Sequence, residues 1–254
     1  MSRRKGFLSS HNPIMKEEAY RQAGTGTLDG DFIQRAGERM TVQGAINKSF
    51  LLGAIMLATA VVGYTMFNPL FVWGGAIAGF IVVMIAVSRP QNSAVLAPIY
   101  AALEGLFVGG ISAMYASLYN GIVFQAITLT MGVFFVMLFI FKSGLIKVNN
   151  KFRTGVMMAT GAIALVYIVS FVLSFFGIQM PLLHSTGPLG IGISLVIVGV
   201  ASLNLLLDFD NFEKGEKYGS PVYMEWFSAM GLLITLVWLY VEILRLIALF
   251  SSND

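Results

Sequence analysis

The sequence predicts an all-α integral membrane protein with seven transmembrane helices, and three observations lead to this fold class. Apolar residues make up 57% of the 254 residues and charged residues only 11%, whereas an ordinary soluble domain carries about 25% charged residues. Residues 49–141 contain two ionisable Asp, Glu, Lys or Arg side chains, Arg89 and Glu104, and residues 155–207 contain none. Turn-forming residues divide these runs into segments of the roughly 20 residues that a helix needs to cross about 30 Å of hydrocarbon.

The N-terminal region, residues 1–44, is predicted to be a mostly disordered, basic tail. Residues 1–48 carry eight Lys or Arg and five Asp or Glu side chains, so no apolar core can form there. The region does not have the pattern of a signal peptide, because the first apolar run begins about forty residues into the chain. Residues 40–48 are predicted to form the helical start of that run, 45–250 the transmembrane domain, and 251–254 a short C-terminal tail.

Helix-breaking residues separate the predicted helices in order. Asn68-Pro69 ends the first helix, the segment 88–92 ends the second, and Tyr119-Asn120-Gly121 separates the third from the fourth. A turn-rich loop that holds His184 follows the fifth helix. The seven predicted helices span residues 46–67, 70–87, 97–118, 121–141, 155–177, 189–210 and 223–250.

The loops predict the orientation of the chain in the membrane. Alternate loops carry all the loop Lys and Arg residues, namely Arg89, Lys142, Lys147, Lys151, Arg153, Lys214 and Lys217, while the loops near 68, 120 and 177–188 carry none. Because basic loops stay in the cytoplasm, the N-terminus is predicted to be cytoplasmic and the C-terminus outside. Arg245, near the outer end of the last helix, is the one exception.

The last predicted helix carries a polar stripe. Its polar residues follow one another at intervals of three, seven, seven and three, which places them on one helix face: Glu225, Ser228, Thr235, Glu242 and Arg245. Polar groups are costly in lipid, so this face is predicted to point into the bundle and to line a path through it. The alternative is a surface pair between Glu242 and Arg245, with Glu225 as a solvated helix start.

A second group of polar residues gathers at the inner side of the membrane. Asn204, Asp208 and Asn211 share one face of the sixth helix, while Asp210 points roughly the other way. Four acids and one arginine are predicted to crowd the inner third of the bundle: Asp208, Asp210, Glu104, Glu225 and Arg89. Carboxylates brought together in a low dielectric cannot all stay ionised, so the cluster is a candidate pH sensor. The alternative is a static cluster of salt bridges and water.

Several function classes are excluded by composition and motifs. The chain has no cysteine and only two histidines, His11 and His184, which is too few for a thiolate site or a histidine-rich metal centre. It lacks a phosphate-binding loop for ATP, and its last helix has no lysine for a retinal Schiff base. The net charge of +3 fits membrane orientation and lipid contact rather than nucleic-acid binding. The sequence therefore predicts a protein that is not an enzyme and has no cofactor.

Five short motifs resemble a bacterial branch of the Bax inhibitor-1 family, the transmembrane Bax-inhibitor-motif proteins. They read MTVQGAINK at 40–48, ALEG at 102–105, LDFD at 207–210, YMEW at 223–226 and LYVEILR at 239–245. The resemblance implies seven helices with the last one at the centre, the bacterial cytoplasmic membrane, and a pH-sensitive calcium leak. It also implies a proton-sensing pair of aspartates on the last two helices, with an arginine after the second helix that contributes to the closed state.

The residues match this implied sensor except at one position. Asp208 matches the first aspartate, Arg89 the arginine, and Glu104 an acid common in the third helix. Thr235 stands where the second aspartate is expected, and it cannot share a proton as a carboxyl does. We therefore predict that Glu104 supplies the second acid; Asp210 or Glu225 in that role, or loss of this gating, are the alternatives.

Together these features predict a pH-sensitive cation leak channel, with calcium held transiently by Asp208 and Glu104. Carboxylate, hydroxyl and amide oxygens suit a hard cation, and Asn204, Ser228 and Thr235 supply such oxygens along the path. The expected partners are calcium or other cations, the lipid bilayer, and membrane proteins. One alternative is a non-conducting regulator of other membrane proteins, such as a membrane protease. Another is a proton-coupled secondary transporter.

Overall fold

A computed structural model of the chain describes residues 39–177 and 187–252. These residues form seven helices that are long and apolar enough to cross a membrane, which confirms the predicted fold class. The helices are α1 (Val42–Thr65), α2 (Pro69–Ser88), α3 (Ser93–Leu118), α4 (Ile122–Ser143), α5 (Asn150–Ser174), α6 (Pro188–Lys217) and α7 (Tyr223–Ser251). The predicted tail up to residue 38, His11 and His184 lie outside the described residues.

The helix ends follow from local chemistry. Thr41 and Asn149 cap α1 and α5 by accepting hydrogen bonds from Gly44 N and Phe152 N. Such caps satisfy backbone N–H groups that have no partner inside the helix. Gly121 and Gly144 border α4 with positive φ angles of 75° and 68°, a conformation that glycine adopts without a steric cost.

The helices α3, α5 and α6 extend several residues beyond their predicted bounds, and α5 begins at Asn150 rather than at 155. α3 begins at Ser93, directly after a 3-10 turn at Pro90–Asn92, and Pro98 lies inside it. α6 continues through seven residues beyond the predicted end at 210, up to Lys217. A hydropathy criterion stops at the first charged residues, whereas the helix itself continues because Lys214 and Lys217 in its last turn interact favourably with the helix dipole.

α7 lies at the centre of the bundle, as the resemblance implies. It packs against α1, α3, α4 and α6. Half of the residues in its most apolar 18-residue stretch are buried, against 11% in the corresponding stretches of α1 and α5. Its apolar side chains, such as Phe227, Met230 and Leu239, belong to the main hydrophobic core. A polar group on α7 is therefore surrounded by protein on most sides.

α1 and α3 cross at very short distance. A Cβ atom on Gly105 or Gly109 would overlap the backbone of α1, and one on Gly63 would lie 2.6 Å from the Leu106 carbonyl oxygen. Small residues at such crossings let helix backbones approach closely in a membrane. This crossing fixes α1, whose first turn contributes to the site described next.

Candidate functional site

The polar side chains of α7 lie inside the bundle. Ser228, Thr235 and Glu242 are each at most 5% exposed, and the Arg245 side chain is 18% exposed. The stripe begins at Glu225 in the first turn of α7 and continues towards the other end of the helix. Its burial places it where the seven-residue spacing predicts it.

Asp208 faces the middle of this stripe from α6. It is 3% exposed, and its carboxyl is hydrogen-bonded to the Thr235 hydroxyl. The same hydroxyl lies 3.3 Å from the Gly231 carbonyl oxygen, to which it can donate. Within the described residues, Oδ2 of Asp208 has no hydrogen-bond partner. A buried carboxylate oxygen without a partner is costly, so binding of a proton or a cation there would be favourable.

Arg153, at the start of α5, supplies a positive charge beside α6. It is 5% exposed; its guanidinium pairs with Asp210 and donates to Oδ1 of Asn211 at 3.0 Å. Lys214 Nζ lies 3.1 Å from the Asp210 carboxylate. Asp208 interacts with Arg153 only through space. Asp210 is therefore neutralised by two direct ion pairs, whereas Asp208 has none among the described residues.

Glu225 is buried at the N-terminal end of the stripe, where the beginning of α1 surrounds it. Its carboxylate forms an ion pair with Lys48 and accepts hydrogen bonds from Thr41 N at 2.8 Å and Thr41 Oγ1 at 3.1 Å. A Cβ on Gly44 would overlap this carboxylate, so the contact requires glycine. Glu225 is thus a buried anchor rather than a solvated helix start.

A second polar cluster lies towards the C-terminal end of α7. The Tyr167 hydroxyl of α5 donates to Oε1 of Glu242 and accepts from Nη1 of Arg245 at 2.7 Å. Arg245 Nη1 is also 3.5 Å from Oε2 of Glu242. The pair suggested by the i, i+3 spacing therefore exists, and a tyrosine from a neighbouring helix completes it. Charged clusters thus occupy both ends of the stripe, with Asp208 and Thr235 between them.

A family match covers nearly the whole chain. The model of the family described as Bax inhibitor 1 like matches residues 11–252. The chain belongs to this family. None of the curated proteins compared with it matches its sequence significantly.

For a Bax inhibitor 1-like protein, the contact between Asp208 and Thr235 is informative. The resemblance places a second aspartate at position 235, and the threonine found there indeed faces Asp208. A hydroxyl therefore faces Asp208 at the position where the resemblance implies a second carboxyl. The hydroxyl can donate to a carboxylate or accept from a carboxylic acid.

The structure does not bring Arg89 or Glu104 to Asp208. Arg89 is exposed at the end of α2. Glu104 is hydrogen-bonded to Tyr100, and its carboxylate would lie 2.9 Å from a Cβ on Gly79 of α2. This arrangement favours a local network between Glu104 and a tyrosine hydroxyl.

Several residues that complete the site were not among the candidates from the sequence, among them Arg153, Lys48 and Tyr167. In the sequence, Arg153 is one of the basic loop residues that predict orientation, Lys48 is one of the basic residues before the first apolar run, and Tyr167 is an ordinary residue of an apolar helix. Polar residues at helical spacing on one helix indicate that the neighbouring helices must supply their hydrogen-bond or ion-pair partners. It does not indicate which residues of the other helices provide them.

Asn204 links α6 to α5 rather than standing free. Its Nδ2 atom donates to Thr160 Oγ1 and to the Val200 carbonyl, both at 2.8 Å. Nowhere in residues 39–177 and 187–252 do three His, Cys, Asp or Glu side chains gather as a metal site. A cation passing Asp208 would meet one carboxylate and neutral oxygens, which suits passage more than storage.

Proposed function

We propose that this protein is a pH-sensitive cation leak channel of a bacterial cytoplasmic membrane, with calcium as its main ion. The observation that carries the proposal is the Asp208 carboxyl, which is buried in the bundle with one oxygen lacking a partner in the described part of the chain. Family membership supports the same class of function.

Protonation of Asp208 would be the gating event. The ionised carboxyl attracts Arg153 through space, in addition to the direct ion pair that joins Arg153 of α5 to Asp210 of α6. Protonation removes this added attraction and would loosen the contact between α5 and α6 beside α7. Oxygen atoms of Thr235, Ser228 and Asn204 would then replace part of the hydration shell of the ion.

Flux through the purified protein tests this proposal. The full chain is reconstituted in liposomes loaded with a calcium-sensitive dye, and calcium entry is recorded at mildly acidic and mildly alkaline pH. We expect entry that depends on the protein and on pH. Equal entry into liposomes with and without the protein at both pH values would contradict the proposal, and liposomes loaded with a potassium-sensitive dye would report ion selectivity.

A further inference from the structure

The segment that leads into α1 is bound to the inner ends of α6 and α7. Residues 39–48 contain the cap and first two turns of α1, and they contact the α6–α7 loop at several points. Met40 N donates to the Ser220 carbonyl at 2.7 Å, and Arg39 forms an isolated β-bridge with Pro221. A segment that merely leads into a membrane helix does not need these contacts.

Two acids from α6 and α7 bind the N-terminus of α1. Glu225 accepts from Thr41 N at 2.8 Å, and Glu216 accepts from Val42 N at 3.2 Å. Backbone N–H groups at a helix start lack partners within the helix, and the helix dipole favours negative charge there. The ion pair between Lys48 and Glu225 adds a second attachment further along α1.

Met40 packs against α6 near the C-terminal end of that helix. Its side chain is 1% exposed and lies directly against Gly215 of α6, where any Cβ would collide with its sulfur. Gly215 is seven residues after Asp208, so the two share a face of α6 about 10 Å apart. Met40 therefore covers the face of α6 that carries Asp208, near the end of the helix.

The same segment covers the inner end of the α7 stripe. Glu225, to which Thr41 and Lys48 bind, lies three residues before Ser228 and ten before Thr235. At 1.5 Å per residue, about 15 Å of α7 separates the bound end from Thr235. Residues 39–48 therefore cover the inner ends of both α6 and α7, on the faces that carry Asp208 and Thr235.

We propose that residues 39–48 form a removable cover over the inner end of the path between α6 and α7. This proposal rests on the proposed function, because a cover can regulate ion flux only if ions pass along α6 and α7. The cover is held by hydrogen bonds and one ion pair, with Glu225 as the common acceptor. It opens when the segment leaves Glu225 and Met40 leaves Gly215.

Thiol labelling tests the cover without relying on ion flux. The chain has no cysteine, so Ser228→Cys introduces a single thiol behind the cover. A water-soluble maleimide is added to liposomes whose inner protein face is exposed. Combining Ser228→Cys with Glu225→Gln or with Lys48→Met is expected to raise the labelling rate by about tenfold or more, the effect of losing one charged hydrogen bond.

Lys142→Met is the matched control for Lys48→Met. Lys142 is exposed at the end of α4, on the same side of the bundle, so the control removes an equal charge without touching the cover. Size-exclusion profiles check folding, and Lys48→Met leaves α7 intact should Glu225→Gln fail to fold. Labelling rates that stay equal in the release variants and in the control would overturn the proposed cover.

A disulfide across the cover then connects it with flux. Met40 Cγ lies 3.6 Å from the place of a Gly215 Cβ, so Met40→Cys with Gly215→Cys can be cross-linked. Calcium flux should fall to the background level when the pair is oxidised and recover on reduction. In each single-cysteine variant, the flux should be the same under oxidising and reducing conditions. Flux that is equal in both states would overturn the cover. Absence of flux in the unmodified protein would overturn the proposed function, and the labelling result would still decide the cover.

Discussion

Asp208 meets a hydroxyl at the position where the resemblance implies a second carboxyl. With Thr235 as its partner, the carboxyl keeps one hydrogen bond whether or not it carries a proton, because a hydroxyl both donates and accepts. Among the described residues, no second carboxyl is hydrogen-bonded to it. Proton sensing in this chain would therefore depend on one acid and its distance from Arg153, rather than on two acids that share a proton.

Replacing Asp208 by asparagine should remove the pH dependence of calcium flux. The side chain of the Asp208→Asn variant keeps the shape of the original but cannot gain or lose a proton, so the rates at mildly acidic and mildly alkaline pH should become equal. The dye-loaded liposome assay measures both rates. Glu213→Gln, an exposed acid on the same helix, is the control that should leave the pH profile as it is. An unchanged profile in Asp208→Asn would contradict this role.

Arg153 should contribute measurably to stability. Arg153→Met leaves Asp210 with Lys214 alone and removes the hydrogen bond to Asn211, which we expect to cost about 1.5–3 kcal/mol, the range for a hydrogen bond to a charged group. The apparent unfolding temperature in detergent reports the change. Lys151→Met, an exposed residue in the same turn of α5, should shift it by much less; equal shifts would show that Arg153 acts as a surface charge.

Some of the site could be predicted from the sequence, and the reason differs by residue. The spacing of Ser228, Thr235 and Glu242 predicts a buried face, because the partners of a polar stripe in a membrane must be protein or water. The partner of Asp208 was open to several assignments, and the structure supplies Thr235 and, through space, Arg153. The spacing of residues along one helix does not indicate which side chains of the neighbouring helices face them.

At the scale of the helices, prediction was most accurate where proline, asparagine or glycine interrupts an apolar run. Asn68-Pro69 separates α1 from α2 within two residues of the predicted ends, since proline fits the first helical position and asparagine caps it. The sequence predicts the C-terminal end of α6 too early, because charged residues end the apolar run without ending the helix. Hydropathy thus predicts the part of a helix that lies in lipid better than its full length.

The crossing of α1 and α3 should be sensitive to a single methyl group. Gly109→Ala would place its Cβ against the Ala60 backbone, and such overpacking costs about 1–3 kcal/mol. Gly132→Ala in α4 has no atom within 4 Å of the new Cβ, so it should be neutral or gain up to about 1 kcal/mol from helix propensity. The unfolding temperatures of the two variants are compared in detergent. A higher unfolding temperature for Gly109→Ala would contradict the prediction and show that α1 and α3 move apart at little cost.

At the scale of the whole molecule, the bundle has one charged end and one nearly uncharged end. The α2–α3, α4–α5 and α6–α7 connections lie at the end where α1 begins, and these carry the loop arginines and lysines. The central position of α7 means that its stripe connects this charged end with the Tyr167 cluster at the other end. Any path along α7 would therefore lead from a basic surface, past Asp208, to a surface that contains an arginine held by glutamate and tyrosine.

The charge asymmetry predicts which end faces the cytoplasm. Basic loops are retained inside during membrane insertion, so Lys147, between α4 and α5, should be cytoplasmic, and Asn120, between α3 and α4, should face outside. Because the chain has no cysteine, Lys147→Cys and Asn120→Cys each give one reporter thiol. In intact cells, a membrane-impermeant maleimide should label Asn120→Cys alone, and in inverted vesicles Lys147→Cys alone. The opposite pattern would place residues 39–48 outside the cell, and the proposed cover would then close the outer end of the path.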